Sequence, residues 1–441
     1  MKTTPKLLAL VGATLLACMT RADESVEAQL RALAEQNRQL QAQVQEQQRA
    51  IEQLRGELGA MRGAGEKQAR DLQGLQERVE DREAAKAPAT SREHEIRVSG
   101  QAGIALFKTG SDGQFPGSEF RLDDAKIFLE APVMKNLYVF AGLELQTREA
   151  GDENTYVGEF YLDFENVSGA WGRDRLLNVR AGRFNIPFGE EYQVRGPVDN
   201  PLISHSVADA WGFDEGVEIY GELDRFTYVL AVQNGGNPAL RDFNADKSVA
   251  ARVGYDPARW LHLSASGMRT GDLDVKNDVF SALWFGNGFF KALGAPATTT
   301  TFSADLAELD AAARWKGGAL KAAAGWVKFD DNDTARSNAR RLRYSSLEGV
   351  QELADGFFAA ARWSEVRAPR GYPLVGWGDF ATFVFARPPT TRLERLSLGL
   401  GYRLSRPVVL KFEYALESGR LTNGAARNHE NLLSTEIAMR F

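Results

Sequence analysis

Beyond residue 95 the chain alternates apolar residues with polar or small ones at a period of two, in runs of about ten residues. In 137–145, Leu137, Val139, Ala141, Leu143 and Leu145 share one face, as do Val249, Ala251, Val253 and Tyr255 further on. Leu396, Leu398, Leu400, Tyr402 and Leu404 stand opposite Ser397, Gly399, Gly401 and Arg403. Val408, Leu410, Phe412, Tyr414 and Leu416 stand opposite Lys411, Glu413 and Glu417. The last residues continue the pattern, with Leu433, Thr435, Ile437, Met439 and Phe441 on one side and Ser434, Glu436, Ala438 and Arg440 on the other. Soluble sandwiches also alternate, but their strands average about five or six residues. Runs near ten residues with one apolar and one polar face predict strands that cross a bilayer.

The joints between runs come in two lengths. "YDPARW", "LDRF", "KGGAL" and "LSRPVV" are short turns, whereas 185–215, 271–303, 329–353 and 418–430 read as long loops rich in Gly, Asn, Asp and Thr. Trp260, Trp315, Trp326, Tyr255 and Tyr402 fall near the ends of runs, where an aromatic girdle meets the lipid interface. At roughly 20 residues per strand and connection, 95–441 predicts an all-β transmembrane β-barrel of about 16 antiparallel strands around an aqueous lumen. The final strand, ending on Phe441, is expected to close the sheet against the strand near Ile96, with Ile437, Met439 and Phe441 toward lipid.

The first 94 residues obey different rules. Lys2 and Lys6 precede an apolar run from Leu7 to Ala17, and Thr20 and Ala22 fit a cleavage site, so 1–22 reads as a signal peptide. The alternative is a lipoprotein box at Leu15-Leu16-Ala17-Cys18, with Cys18 acylated. Residues 23–84 read as an α-helical coiled coil. One heptad register places Leu30, Asn37, Val44, Ile51, Leu58, Gly65, Leu72 and Val79 at a, and Val26, Leu33, Leu40, Gln47, Leu54, Met61, Gln68, Leu75 and Arg82 at d, with the polar Asn37, Gln47 and Gln68 weakening the seam but fixing its alignment. Residues 85–94, with Pro88, form the linker to the barrel domain 95–441. The heptads call for partner copies.

Composition excludes several classes. A formal net charge of −6 argues against a nucleic-acid-binding face, and the single cysteine rules out a disulfide framework or zinc cluster. The histidines His94, His205, His262 and His429 show no metal-ligand spacing, so no metal or cofactor is expected. Ser204-His205-Ser206 has no placeable acid partner and no nucleophile-elbow motif, so no enzyme is expected.

Several segments, taken in order, resemble the phosphate-selective porin O/P family. These are "FRLDDAKIFLEAPVMKNLYVFAGLEL" (120–145), "LLNVRAGRFNIPFGEEYQ" (176–193), "WGFDEGVEIYGEL" (211–223), "TYVLAVQNGGN" (227–237) and "KSVAARVGYDP" (247–257). The resemblance implies a trimeric 16-stranded barrel that passes small hydrophilic solutes, with anion or phosphate selectivity carried by Arg and Lys facing the pore. Where family members carry two arginines and an alanine in the second strand, this chain has Asp123-Asp124-Ala125.

Phase within the strands nominates the pore-lining side chains. Opposite the apolar sets lie Arg180, Arg252, Arg403, Lys411, Glu413, Glu436 and Arg440. In the second strand the phase slips between Leu122 and Ala125, as at a bulge, with Arg121, Lys126 and Glu130 directed inward around it. Charged rings of this kind set which ions pass. The loop 185–215, carrying Glu190, Glu191, Arg195, Asp199, Asp209 and Asp214, is long enough to fold inward as a constriction.

The expected function is therefore a water-filled channel in the outer membrane of a Gram-negative bacterium, passing small hydrophilic solutes or ions, phosphate among them. Expected partners are further copies of the chain (a homotrimer), outer-membrane lipid and, through a periplasmic coiled coil, peptidoglycan. The alternative is a barrel that serves as anchor, its coiled coil tethering the membrane to the cell wall.

Overall fold

The computed structural model describes residues 95–441 apart from 147–154, 211, 236–241, 243–244, 277–288 and 291–298. The signal peptide, coiled coil and linker expected over 1–94 lie outside the described residues.

A single sheet of eighteen strands contains two that are only two residues long (Leu273–Asp274 and Ala426–Arg427), leaving sixteen long ones. These are β1 (Arg97–Thr109), β2 (Glu119–Met134), β3 (Leu137–Gln146), β4 (Tyr156–Phe164), β5 (Asn178–Asn185), β6 (Phe213–Leu223), β7 (Phe226–Gln233) and β8 (Ser248–Ala258). The second half comprises β9 (Leu261–Arg269), β10 (Thr301–Trp315), β11 (Gly318–Asp331), β12 (Arg340–Ala354), β13 (Phe357–Tyr372), β14 (Thr390–Ser405), β15 (Val408–Leu421) and β16 (Leu432–Arg440). Every neighbour is antiparallel, and β1 pairs with β16 from Gln101↔Arg440 to Thr109↔Leu432, so the barrel is closed. Gly100 and Phe441 exchange both backbone hydrogen bonds (3.1 and 3.0 Å) and seal the seam. A closed sheet leaves no unpaired edge for lipid to meet.

Two-residue turns join β2–β3, β6–β7, β8–β9, β10–β11, β12–β13 and β14–β15, all at one end of the barrel. Asn136, Asp224, Gly317 and Gly356 take the positive φ that such turns need. The other end carries the long loops. The expected loop over 329–353 needs correction: 340–354 is strand β12, and the loop is only 332–339. The phase slip in the second strand is a bulge. Gln101 pairs with Lys126 but Gly103 with Asp123, and Asp124 sits at φ 48°.

Gly182 in β5 shows why a glycine is needed in a strand. Its φ is 137°, and a Cβ there would stand 2.3 Å from the Phe160 carbonyl oxygen and 2.7 Å from the Tyr161 Cα. Both obstacles are backbone and cannot move aside. Gly182→Ala is expected to destabilise the folded barrel by about 1–3 kcal/mol, read by thermal unfolding in detergent.

The two faces of the sheet are chemically inverted relative to a soluble protein. Along β15, Leu410, Phe412, Tyr414 and Leu416 are exposed while Lys411, Glu413 and Glu417 are buried. Along β14, Leu396, Leu398 and Leu400 are exposed while Arg395 and Ser397 are buried. Apolar residues thus face out and charges face in, as in a lipid-embedded barrel. Exposed Trp260 and Trp315 mark the short-turn end, together with the stacked pair Phe226–Tyr255 (4.6 Å) and the tilted pair Phe357–Tyr402 (4.4 Å). Trp326 lies eight residues along β11 from that end and belongs to the opposite rim.

The interior is not uniformly polar. Toward the long-loop end, on the β8–β14 side, an apolar cluster including Phe289, Phe290, Phe302, Phe329, Tyr372 and Leu393 packs inside the barrel. Tyr372 stacks between Phe289 (5.3 Å) and Phe329 (5.0 Å). Such packing excludes water, so this sector is filled.

Candidate functional site

The segment that follows β5 (186–210) turns into the barrel and runs along its inner wall. Its apolar residues Ile186, Phe188, Val198, Leu202, Ile203 and Val207 are buried, and wall side chains satisfy its backbone. A loop cannot be buried without partners for its amide and carbonyl groups. Near its start, Arg252 on β8 donates to the Gly189 carbonyl (2.7 Å) and the Tyr192 hydroxyl (3.0 Å), and Gly189 N–H donates to Ser266 Oγ on β9 (3.1 Å). Glu190 lies 3.5 Å from both Arg252 and His262. Burial pushes the Tyr192 hydroxyl above its ordinary range, so it remains protonated.

The loop then reaches the β13–β16 wall. Arg362 donates to the Ser204 carbonyl (2.7 Å) and Asn200 Oδ1 (2.8 Å), and Val207 N–H donates to Ser364 Oγ (3.1 Å). Arg395 donates to the His205 carbonyl (2.7 Å). Glu413 accepts from the Ile203 and Ser204 amides (2.6 and 2.7 Å) and from the Ser204 hydroxyl. Lys411 donates to the carbonyls of Pro197 (2.7 Å) and Leu202 (3.0 Å) and pairs with Glu436 (2.6 Å). Arg440 pairs with Asp199. Within the loop, Glu191 accepts from the Ser206 amide and hydroxyl (2.8 and 2.6 Å), and Arg195 pairs with Asp209.

The side chains nominated from the sequence therefore divide into two groups. Lys411, Glu413 and Glu436 are buried on the inner face; Lys411 and Glu413 hold the loop, and Glu436 pairs with Lys411. Arg180 and Lys126 stand on the opposite sector, and Arg252 belongs to both, holding the start of the loop and lining the open side. Arg180 pairs with Asp163 (2.9 Å) and Glu218 (3.1 Å) and lies over the rings of Tyr161 (4.3 Å) and Tyr220 (5.1 Å). Lys126 pairs with Glu144 (3.2 Å). Here a cavity of about 580 Å³ opens, lined by Glu159, Arg180, Tyr192, Glu218, Tyr220 and Arg252 among others. Arg121 lies over Phe115 (5.2 Å), and the exposed Arg403 over Phe358 (5.0 Å) at the short-turn end. Glu130 is 3.9 Å from Arg97, and Asp214 accepts from the Gly235 amide (2.6 Å).

Sequence phase did not reveal Arg362, which pairs with Glu348, or Arg395, which pairs with Glu417 (2.6 Å). For Arg395 the alternation of 396–404 extended by one residue was the available signal. Ser204 and His205 make separate contacts, to Glu413 and Ser397 and to Asp209 respectively.

No protein-family model matches the chain, and no curated protein matches it in sequence. Solved structures do match in shape. OmpT, an outer membrane protein of Vibrio cholerae, has 13% identity and a TM-score of 0.52, over 80% of this chain and 98% of that one. The outer membrane channel DcaP of Acinetobacter baumannii has 10% identity and a TM-score of 0.52, over 80% and 99%. OmpF of Salmonella typhi has 11% identity and a TM-score of 0.50, over 79% and 98%.

The fold is that of the outer-membrane barrels. At these identities the likeness is one of backbone path and carries no side-chain role across. It is consistent with the outward apolar belt facing lipid and the charged face enclosing the lumen.

Proposed function

We propose that the chain is an outer-membrane porin, a passive channel for small hydrophilic solutes rather than an enzyme. The observation that carries this reading is a closed barrel with an apolar exterior and a charged interior, narrowed by an inward loop and open along the β4–β8 sector. The resemblance of 120–145, 176–193, 211–223, 227–237 and 247–257 to the phosphate-selective porins supports phosphate among its solutes. The cations on the open side favour a weak preference over a strict one, because Arg180 and Arg252 are each matched by carboxylates, as is Lys126 on β2. Arg121 and Arg403, with the loop residues Glu190, Glu191, Arg195 and Asp199, complete the set that tunes passage.

Purified protein in a planar bilayer is expected to show stepwise conductance, with a small reversal potential in a salt gradient. Folded protein that inserts without conducting would falsify the channel reading, and a large anion-directed potential would restore strict phosphate or anion selection. The heptads over 26–82 support self-association, and OmpT of Vibrio cholerae is recorded in a trimer form. They also favour a second reading, a periplasmic tether to the cell wall. In that case, deletion of 26–88 abolishes envelope attachment and leaves conductance intact.

A further inference from the structure

The outward face of β12–β15 carries four arginines in one cross-strand row. Arg343 pairs in register with Arg367, Arg367 with Arg392, and Arg392 with Arg420. Directly opposed like charges destabilise a sheet unless something neutralises them. The next row toward the short-turn end, Ser345–Glu365–Glu394–Ser418, offers two carboxylates for four guanidiniums. Glu365 pairs with Arg367 (2.8 Å) and Arg392, and Glu394 with Arg392 (2.8 Å). Arg343 and Arg420 meet no carboxylate among the described residues, and all four arginines are exposed. Arg341 and Arg370 add further exposed positive charge at this rim.

The height of the row is set by its neighbours. One row below the carboxylates lie Leu347, Trp363, Leu396 and Leu416, the top of the apolar belt. Trp326, exposed, pairs in register with Arg343, and the Trp363 indole N–H donates to Glu394 (2.8 Å). Tryptophans gather where lipid tails give way to headgroups. Arg392 is ten residues along β14 from Tyr402 in the opposite girdle. At about 3.3 Å per residue and about 40° tilt this is roughly 25 Å, the height of the apolar band. The row therefore stands at the outer headgroup level and faces the lipid.

We propose that this row is a binding site for the phosphorylated headgroup of an outer-leaflet glycolipid, lipopolysaccharide. Guanidinium forks bind phosphate oxygens in pairs, and a phosphate seated across neighbouring strands relieves the repulsion along the row. The site rests on the reading of the chain as an outer-membrane channel, since only that places the row beside this leaflet.

The test titrates full-length protein in detergent with lipopolysaccharide, with the same lipid dephosphorylated, and with inorganic phosphate. Phosphorylated lipid is expected to bind and raise the melting temperature, and the dephosphorylated lipid to bind about tenfold more weakly. The variant Arg343→Gln/Arg420→Gln breaks no ion pair; it is expected to lose about tenfold in lipid affinity with unchanged conductance. Equal binding of the dephosphorylated lipid, or full affinity in the variant, overturns the proposal. So does inorganic phosphate binding as tightly as the lipid, which would make this a free-anion site. A changed oligomeric state of the variant without lipid overturns it in favour of an interface between copies. If the variant does not fold, the unsubstituted protein decides, because affinity must fall as salt rises from about 50 to about 500 mM. Lipid binding without conductance refutes the channel reading alone.

Discussion

Arg362→Ala is expected to lower the stability of the folded barrel by about 3–5 kcal/mol and to loosen the inward loop. The guanidinium is 5% exposed, pairs with Glu348, and donates to the Ser204 carbonyl and Asn200. Its removal leaves the buried Glu348 carboxylate without its main partner and takes one of two donors each from the Ser204 carbonyl, which keeps the Asn200 amide (2.8 Å), and from Asn200 Oδ1, which keeps the Leu202 N–H (3.3 Å). Lys321, 3.4 Å from Glu348, offsets only part of that loss, since it is more exposed. Thermal unfolding in detergent reads the stability, and single-channel recording reads the loop as added current noise. A variant with parental melting and quiet current would mean that the loop is held elsewhere.

Glu413→Ala acts on the loop more directly. The carboxylate is 0% exposed and is the shared acceptor for two successive amides, Ile203 and Ser204, and for the Ser204 hydroxyl. Each buried amide left without an acceptor costs about 1–3 kcal/mol, so the 197–206 stretch is expected to leave the wall. Lys411 and Arg395 then hold carbonyls of a segment that has lost its centre. Single-channel conductance should shift by about twofold or more as the loop redistributes in the lumen. Hydrogen exchange at Ile203 and Ser204 should accelerate. Unchanged conductance with accelerated exchange would show that this part of the loop does not border the solute path.

The barrel was legible in the sequence wherever one rule held along a whole strand. In 396–404 and 408–417 the lower strand faces lipid outside and charge inside, so alternation gave both strand and phase. It failed at 340–354 because the rule reverses part-way. Near the long-loop end Leu342 and Tyr344 turn inward to the dry cluster, while Arg341 and Arg343 turn outward above the lipid. The segment therefore read as polar loop. The slip near Asp124 was visible because one residue too many breaks the phase of its own strand. The inward course of 186–210 was hinted at by length alone. Its anchors were not legible, since Glu413 and Ile203 are 210 residues apart and only closure of the barrel brings them together.

The loop does not divide the lumen evenly, and the two sides consequently answer different questions. Along β13–β16 an inward residue is a fastening, and replacing it changes how long the molecule holds its shape. Along β4–β8 an inward residue such as Arg180 borders open space, and replacing it changes what a passing solute encounters; Arg252, which also holds the start of the loop, does both. The same arginine-to-alanine substitution thus reports in a melting curve on one side and in a reversal potential on the other. A survey of lumen variants scored by transport alone would mix a lost fastening with a changed path, and only a melting curve beside it separates the two.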